Sequence, residues 1–272
     1  MYTHNVTDDA RPIVQIEKRD TRMVRSRAES NEQQQEIGAG NATQAVTIVP
    51  LLVQVDDDAE PSEKRLEFEC DWTPGIGGSI WTSGQVLVVH LQAQRAVYRP
   101  LFNGARVVEL GSGTGYVGLM VAACYAASHV YLTDLETHLH GLRRNVERNA
   151  KAIRADVQVH VTELCWGSSE QETSLLEMTM DGTDAPQVDV ILGTDVAYRE
   201  ELYDPLLHTI NRLATWRTLI LLGLNRADTK LKFFHKLEQT GFEYYKISES
   251  NLVRERWSRE FGLFEIRRRS VS

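Results

Sequence analysis

Apolar and polar positions follow two different periods along this chain, and from residue 80 onward the two periods alternate. Short apolar runs such as "ARVVEL" (105–110), "HVYLTD" (129–134) and "VDVILGTD" (188–195) are typical of buried strands. Between such runs lie longer segments with apolar residues three and four positions apart, which predict helices. These repeated strand–helix units predict a doubly wound, Rossmann-like α/β fold around a mostly parallel sheet.

Two runs near the C-terminus depart from this alternation. "FEYYKIS" (242–248) and "FGLFEIRR" (261–268) both have strand character, and the charged segment between them has no helical pattern. Strands that follow each other without a crossover helix pair antiparallel. We therefore expect an antiparallel hairpin at one edge of the sheet.

The N-terminal part of the chain has a different composition. Residues 1–42 are polar and nearly free of aromatic residues, which predicts a disordered or flexible tail. Over residues 43–79, two β-rich stretches flank the acidic segment "DDDAEPSEK" and predict a small β element with a linker. Residues 80–272 form the third predicted unit, which carries the strand–helix alternation.

Composition narrows the class of protein. The net charge of −8 gives no electrostatic reason to expect a nucleic-acid partner. The longest apolar run, "VGLMVAACYAA", is too short to cross a bilayer, and the N-terminus lacks the apolar core of a secretory signal. Cys70, Cys124 and Cys165 lack the spacing of a zinc site, so no metal is expected. We expect a soluble cytoplasmic protein, with the nucleus as a second compartment, and no membrane partner.

The stretch "VVELGSGTGYVG" (107–118) carries the clearest chemical signal. Gly113, Gly115 and Gly118 match the dinucleotide pattern G-x-G-x-x-G, and Asp134 follows near the expected distance for a ribose-binding acid. An NAD-binding fold is therefore one interpretation. A purely structural role for the glycines is another.

Charge separates these interpretations. A pyrophosphate near the Glu109 carboxylate would be repelled by about 4 kcal/mol at ~4 Å and an effective dielectric of ~20. S-adenosylmethionine has no phosphate and carries a sulfonium and an ammonium group, so an acidic strand end attracts it. Asp134 can accept hydrogen bonds from both ribose hydroxyls. The sequence therefore favours S-adenosylmethionine over NAD.

Five segments, one of which contains the glycine-rich stretch itself, follow one another in the chain: "SIWTSGQVLVVHL", "VVELGSGTGYVGL", "YLTDLETHLHGLRRNVERN", "TELCWG" and "VDVILGTDVAYREELYDPLLHTI". Together they resemble the seven-β-strand methyltransferases of family 16, the methyltransferase-like 21 type of protein-lysine methyltransferases, over about residues 80–267. The resemblance implies a class I methyltransferase fold whose seven-stranded sheet has an antiparallel last strand. It also implies S-adenosyl-L-methionine as cofactor and a protein substrate.

The resemblance implies cofactor contacts by position. Trp81 would border the methionine part, the backbone around Ser112 would form the cradle, and Trp166 would pack near the adenine. The complete set of expected cofactor residues is Trp81, Glu109, Gly111, Ser112, Gly113, Asp134, Trp166 and Thr194. Two departures concern the acceptor side: family members commonly have Ala or Ser at the position of Thr194, and the surroundings of Trp81 read "WTSG". Trp81 and Trp166 could also be core aromatics, and Asp134 could cap the following helix.

The segment "GTDVAY" (193–198) predicts the catalytic residues. Ligands of an open parallel sheet bind beyond the carboxyl ends of its strands, so Asp195 and Tyr198 would stand beside the transferable methyl group. This D-x-x-Y sequence resembles the family's acceptor motif, and Val196 and Ala197 replace the prolines typical of adenine-amine methyltransferases. We expect Asp195 to hold the substrate nitrogen and Tyr198 to align it. The alternative for Asp195 is a helix cap.

We therefore predict an S-adenosylmethionine-dependent N-methyltransferase that acts on a lysine side chain of a protein. Alternatives are a protein-histidine or small-molecule methyltransferase with the same donor site, and a non-catalytic donor-binding interaction module. Asn145 and Asn149, four apart on one helix, are interpreted as structural.

Overall fold

A computed structural model of the chain describes residues 45–53, 62–71, 75–180, 185–248 and 260–269. The tail predicted over 1–42 lies outside the described residues, as does most of the charged connection before residue 260. The boundaries of the three predicted units therefore stay predictions.

A seven-stranded sheet forms the centre of the structure. Its strands are β3 (Arg106–Leu110), β4 (His129–Asp134), β5 (Gln158–Glu163), β6 (Val190–Thr194), β7 (Leu219–Asn225), β8 (Phe242–Lys246) and β9 (Phe261–Arg268). Their order is β5-β4-β3-β6-β7-β9-β8. Strands β3 to β7 pair in parallel, whereas β9 pairs antiparallel with both β7 and β8. The predicted Rossmann-like sheet with an antiparallel last strand is confirmed.

Helices cover both faces of this sheet. They are α1 (Thr82–Ala93), α2 (Arg95–Phe102), α3 (Tyr116–Cys124), α4 (Glu136–Arg148), α5 (Ser169–Met178), α6 (Tyr203–Leu213) and α7 (Leu231–Gln239). Neighbouring strand residues point to opposite faces, so Val107 packs with α1 to α4 and Val108 packs with α5 to α7. The apolar layers between the sheet and the helices on its two faces are both buried. This explains why the strands appear in the sequence as continuous apolar runs.

A separate two-stranded antiparallel sheet lies within the N-terminal segment: β1 (Ala45–Val53) and β2 (Ser62–Cys70). Leu66 and Phe68 of β2 are completely buried in the same apolar layer as α1 to α4. The Phe68 ring meets the Tyr116 ring edge-on, with centroids 5.3 Å apart. This small sheet therefore packs directly beside α3, the helix that follows the glycine loop (residues 111–115).

The sequence pattern did not predict α2. Pro100 lies inside this eight-residue helix, and proline usually marks a helix boundary. The helix nevertheless forms because Tyr98 and Phe102, four residues apart, bury one face in the core. None of the helices in the described ranges is both long and apolar enough to cross a membrane.

Candidate active site

A cleft opens at the carboxyl ends of the parallel strands, where the sheet order switches direction between β3 and β6. Its volume is about 640 Å³, within the usual range of small-molecule sites. All the residues predicted for the cofactor and for catalysis line it: Trp81, Glu109, Gly111, Ser112, Gly113, Asp134, Trp166, Thr194, Asp195 and Tyr198. The fold thus brings residues from five segments of the chain into one cavity.

The glycine loop takes a conformation that side chains would not permit. Gly111 and Gly113 have φ angles of 62° and 54°, in the left-handed region that glycine adopts at little cost. A methyl group on Gly113 would lie 2.5 Å from the Gly77 carbonyl oxygen, because the short 3-10 turn Ile76–Gly78 packs against the loop. The loop therefore presents bare backbone to the cavity.

Asp134 ends β4 and accepts hydrogen bonds from the loop itself. The Gly113 N–H donates to its Oδ2 at 2.7 Å, and the Leu135 N–H donates to its Oδ1 at 2.7 Å. His138 Nδ1 lies 3.3 Å from Oδ1. Burial raises the pKa of Asp134, which these hydrogen bonds and His138 partly offset. Helix α4 has Leu135 at its N-cap position, so Asp134 organises the loop rather than capping the helix.

Glu109 lies near the end of β3 and is deeply buried. Its side chain is 3% exposed, and its Oε2 accepts the Gly118 N–H at 3.0 Å. Burial raises the pKa of Glu109 to about 8, against smaller opposing effects of the hydrogen bonds from Gly118 and Ser112. The carboxyl is thus mostly protonated at pH 7 in the ligand-free protein. The sequence analysis predicted an attraction between Glu109 and a cationic cofactor. That attraction requires the bound cation to favour the ionised form of the Glu109 carboxyl.

The Ser112 side chain joins two strands, in addition to the backbone role predicted for this residue. Its Oγ donates to the Glu109 carbonyl at 3.2 Å and accepts the Thr133 N–H at 3.0 Å. The Thr133 hydroxyl donates to the same carbonyl at 2.7 Å. These bonds fix the end of β3 against the end of β4, where the loop begins.

The two tryptophans occupy different environments. Trp81 directly precedes α1 and forms part of the cavity wall. Its side chain is 43% exposed, so it is not a core aromatic residue. Trp166 is half-buried and packs so closely on the loop that a methyl group on Gly111 would lie 3.2 Å from its Cζ2. It therefore forms the wall between the glycine loop and the β5 end.

Asp195 has the most constrained backbone in the cleft. Its φ angle of 52° is the only positive one among non-glycine residues in the described part of the chain. Ser83 Oγ donates to its Oδ2 at 2.5 Å, and the Asn225 N–H donates to its Oδ1 at 3.2 Å. Left-handed backbone at a non-glycine residue concentrates at functional sites, where the surrounding structure enforces it.

The hydrogen bonds of Asp195 also argue against a helix-capping role. The short 3-10 turn Glu200–Leu202 that leads into α6 has Arg199 at its N-cap position. The carboxylate instead connects the start of α1 to the end of β7. Burial raises the pKa of Asp195, as does the negative charge of Asp228, and the two hydrogen bonds lower it.

Tyr198 and Thr194 lie close to Asp195 in the chain and line the same cavity. Both side chains are half-buried. The Arg199 guanidinium carbon lies 5.5 Å from the centroid of the Tyr198 ring, so a cation already covers one ring face. The Thr194 Oγ1 points toward Gly84 on α1.

The sequence did not single out Ser83, Asn225 or His138, although all three contact the predicted acids. Ser83 lies two residues after Trp81 in "IWTSG" and is fully buried. That position was the one available signal, because a serine so close to a motif tryptophan can face the same cleft. The contact through the Asn225 backbone has no signature in a sequence.

The cavity suits S-adenosylmethionine better than a dinucleotide. Its lining contains Glu109, Asp134 and Asp195, while His138 is the only basic residue type among the described lining residues. Bare glycine backbone allows close approach, and no lysine or arginine in that described lining is placed to neutralise a pyrophosphate. The donor set therefore fits a cationic ligand with ribose hydroxyls.

Comparisons with known proteins agree with this chemistry. A family model described as "Lysine methyltransferase" matches residues 60–240. Protein N-lysine methyltransferase METTL21A of Danio rerio is 33% identical over 64% of this chain and 73% of its own length. EEF1A lysine methyltransferase 3 of Xenopus tropicalis is 27% identical over 71% of this chain and 76% of its own length.

A solved structure supports the fold. The 16S rRNA N2 G1207 methyltransferase RsmC of T. thermophilus, in complex with AdoMet and guanosine, superposes with a TM-score of 0.53. It is 16% identical, and the match covers 85% of this chain and 53% of that one. At this identity the likeness concerns the architecture alone.

Proposed function

Since this chain belongs to the lysine methyltransferase family, we propose that its cleft binds S-adenosylmethionine and positions a protein lysine for N-methylation. The observation that carries this proposal is the convergence of the glycine loop, Asp134 and Asp195 on one cavity lined by acids. Glycine backbone and Asp134 serve the donor, and Asp195 serves the acceptor. A cytoplasmic location, with the nucleus as a second compartment, belongs to the same proposal.

The donor end uses groups already oriented by the fold. Among the described residues, Asp134 Oδ2 accepts only the Gly113 N–H and keeps a lone pair for a ribose hydroxyl. Its Oδ1 faces both the Leu135 N–H and His138 Nδ1. Trp166 borders the adenine region, and Trp81 borders the methionine region. Bound S-adenosylmethionine supplies a methyl group activated by a sulfonium.

The acceptor end must orient an amine and let it lose a proton. A free lysine has a pKa of ~10.4, so forming the neutral amine at pH 7 costs about 4.6 kcal/mol. Burial in the cleft lowers that cost because desolvation disfavours the ammonium. Asp195 grips the amine and directs its lone pair, Tyr198 lines the approach, and the proton leaves to water. Because Ser83 and Asn225 fix the carboxylate, the amine meets a preset geometry.

The family match sets the NAD-binding interpretation aside. A protein-histidine or small-molecule acceptor would use the same donor residues, and the names of the two relatives favour lysine. A non-catalytic donor-binding module would not need an Asp195 carboxylate that two hydrogen bonds hold in place at the cavity.

The proposal is tested by incubating the purified protein with methyl-labelled S-adenosylmethionine and heat-treated lysate, then locating the label by mass spectrometry. We expect label on lysine side chains of one or a few proteins. The matched control is Asp195→Asn, which should retain donor binding by calorimetry and transfer no label. Label on histidine would select the histidine alternative. Donor binding without labelling in lysates from several sources would favour the non-catalytic module.

Glu109 predicts a proton release that accompanies donor binding. Its pKa of about 8 leaves it protonated at pH 7, and a nearby cation favours the ionised form. Donor affinity should therefore rise as pH increases from 6 toward 8, with a net release of protons on donor binding at pH 7. Calorimetry in buffers of different ionisation enthalpy measures this release. Glu109→Gln should release clearly fewer protons, as should S-adenosylhomocysteine, which lacks the sulfonium charge. Equal release in all three experiments would contradict the assignment.

A further inference from the structure

Asn145 and Asn149 attach the N-terminal sheet to α4 by the same pairing. Asn145 Oδ1 accepts the Glu69 N–H at 2.8 Å, and its Nδ2 donates to the Glu69 carbonyl at 3.2 Å. Asn149 repeats this with the N–H and carbonyl of Glu67, both at 2.8 Å. Both side chains are almost completely buried. The two amides thus bond one edge of β2 as a neighbouring strand would, while β1 pairs with the other edge.

The third hydrogen bond of each asparagine differs. Asn145 Nδ2 also donates to the Thr114 carbonyl in the glycine loop, at 3.0 Å. Asn149 Nδ2 instead donates to the Asn145 carbonyl within α4, at 2.8 Å. Of the two asparagines, Asn145 alone therefore connects β2 with the glycine loop.

The loop has a specific need for this bond. In a regular helical turn the Thr114 carbonyl would accept the N–H four residues later, that of Gly118. That N–H donates to Oε2 of the Glu109 side chain instead. Thr114 is buried and lies between Gly113 and Gly115, which both have positive φ angles. The Asn145 side-chain amide donates a hydrogen bond to the Thr114 carbonyl. A buried carbonyl without a donor is costly, so losing Asn145 favours another loop conformation.

We propose that Asn145 is a positioning residue of the donor site, which holds the glycine loop in its binding conformation and couples it to β2. The proposal rests on the proposed function of the cleft, because it assigns Asn145 to the affinity for S-adenosylmethionine. Asn149 anchors the same strand and has no part in the loop. The N-terminal sheet consequently belongs to the donor site, although β1 and β2 contribute no residue to the cavity lining described above.

The two asparagines form a matched pair for the test. Asn145→Ala and Asn149→Ala each remove two bonds to β2 and one further bond. Both should lower the stability measured by urea unfolding by similar amounts. Asn145→Ala should also weaken S-adenosylmethionine binding by about tenfold in calorimetry, whereas Asn149→Ala should stay within about twofold of wild type. The turnover number of Asn149→Ala at saturating donor should stay within about twofold of wild type, whereas Asn145→Ala should show its defect as a raised KM for the donor. Equal donor affinities of the two variants would overturn the proposal.

A measurement on the wild-type protein covers the case in which Asn145→Ala does not fold. Because coupling is reciprocal, adding S-adenosylmethionine should slow amide hydrogen exchange in β2 around Glu69 as well as in the glycine loop. Exchange in α7, on the opposite face of the sheet, should stay unchanged. Protection confined to the cleft, with none in β2, would refute the coupling. Failure of the wild type to bind S-adenosylmethionine would instead refute the proposed function, so the two failures differ.

Discussion

Replacing Asp195 with Asn should lower the turnover number for methyl transfer by about 100-fold or more, while S-adenosylmethionine affinity changes less than about twofold. The carboxylate grips the substrate amine, and the neutral amide cannot replace that charge. Asn is the substitution of choice because it tolerates the positive φ of 52°. Asp195→Ala should lose transfer equally, with added backbone strain. Single-turnover kinetics and calorimetry on the same samples separate the two effects.

Ser83→Ala gives a graded control for this assignment. It removes one of the two hydrogen bonds to the Asp195 carboxylate and leaves the charge in place. Loss of one such bond, worth about 1 kcal/mol, should lower turnover roughly fivefold. Normal turnover in Asp195→Asn at saturating donor, combined with weakened donor affinity, would move Asp195 to the donor side.

Replacing Asp134 with Ala should weaken S-adenosylmethionine binding at least tenfold. The variant loses the acceptor for the ribose hydroxyls, and it also leaves the Gly113 N–H without its bond at 2.7 Å. Charge-assisted bonds of this kind contribute roughly 1.5–3 kcal/mol each, which allows an effect near 100-fold. Calorimetry with S-adenosylhomocysteine should show a similar loss, because that product has the same ribose.

Glu163→Ala is the matched control for Asp134→Ala. Glu163 pairs with Asp134 in the sheet register, at the end of the neighbouring strand. It carries the same charge at the same sheet edge, yet it does not belong to the described cavity lining. Its loss should change donor affinity less than about twofold. Equal effects of the two substitutions would point to general electrostatics and would remove Asp134 from its specific role.

Much of the fold could be predicted because buried parallel strands leave a strong signal. The runs at 129–134 and 261–268 coincide with β4 and β9, residue for residue. Helix α2 was not predicted, and its eight residues are few and include Pro100. Its formation depends on contacts of Tyr98 and Phe102 with the finished core, which local sequence does not encode.

In the cleft, too, one part could be predicted from the sequence and another part could not. The ten predicted residues converge on one cavity, since strand ends of a parallel sheet share one edge. The environment of each acid could not be predicted, because it depends on long-range partners. The buried state of Glu109 depends on α3, the fixed carboxylate of Asp195 depends on Ser83 and the Asn225 backbone, and the role of Asn145 depends on β2.

The position of β9 between β7 and β8 has a consequence for biosynthesis. Strand β7 ends beside Asp195, and Phe261 of β9 lines the cleft, yet β9 is the latest strand in chain order. The sheet therefore closes only after residues up to Arg268 have left the ribosome. Until then β7 and β8 present unpaired edges, and exposed edges of this kind favour aggregation of incomplete chains. A chain that ended before residue 261 would lack β9 and leave these edges of β7 and β8 unpaired.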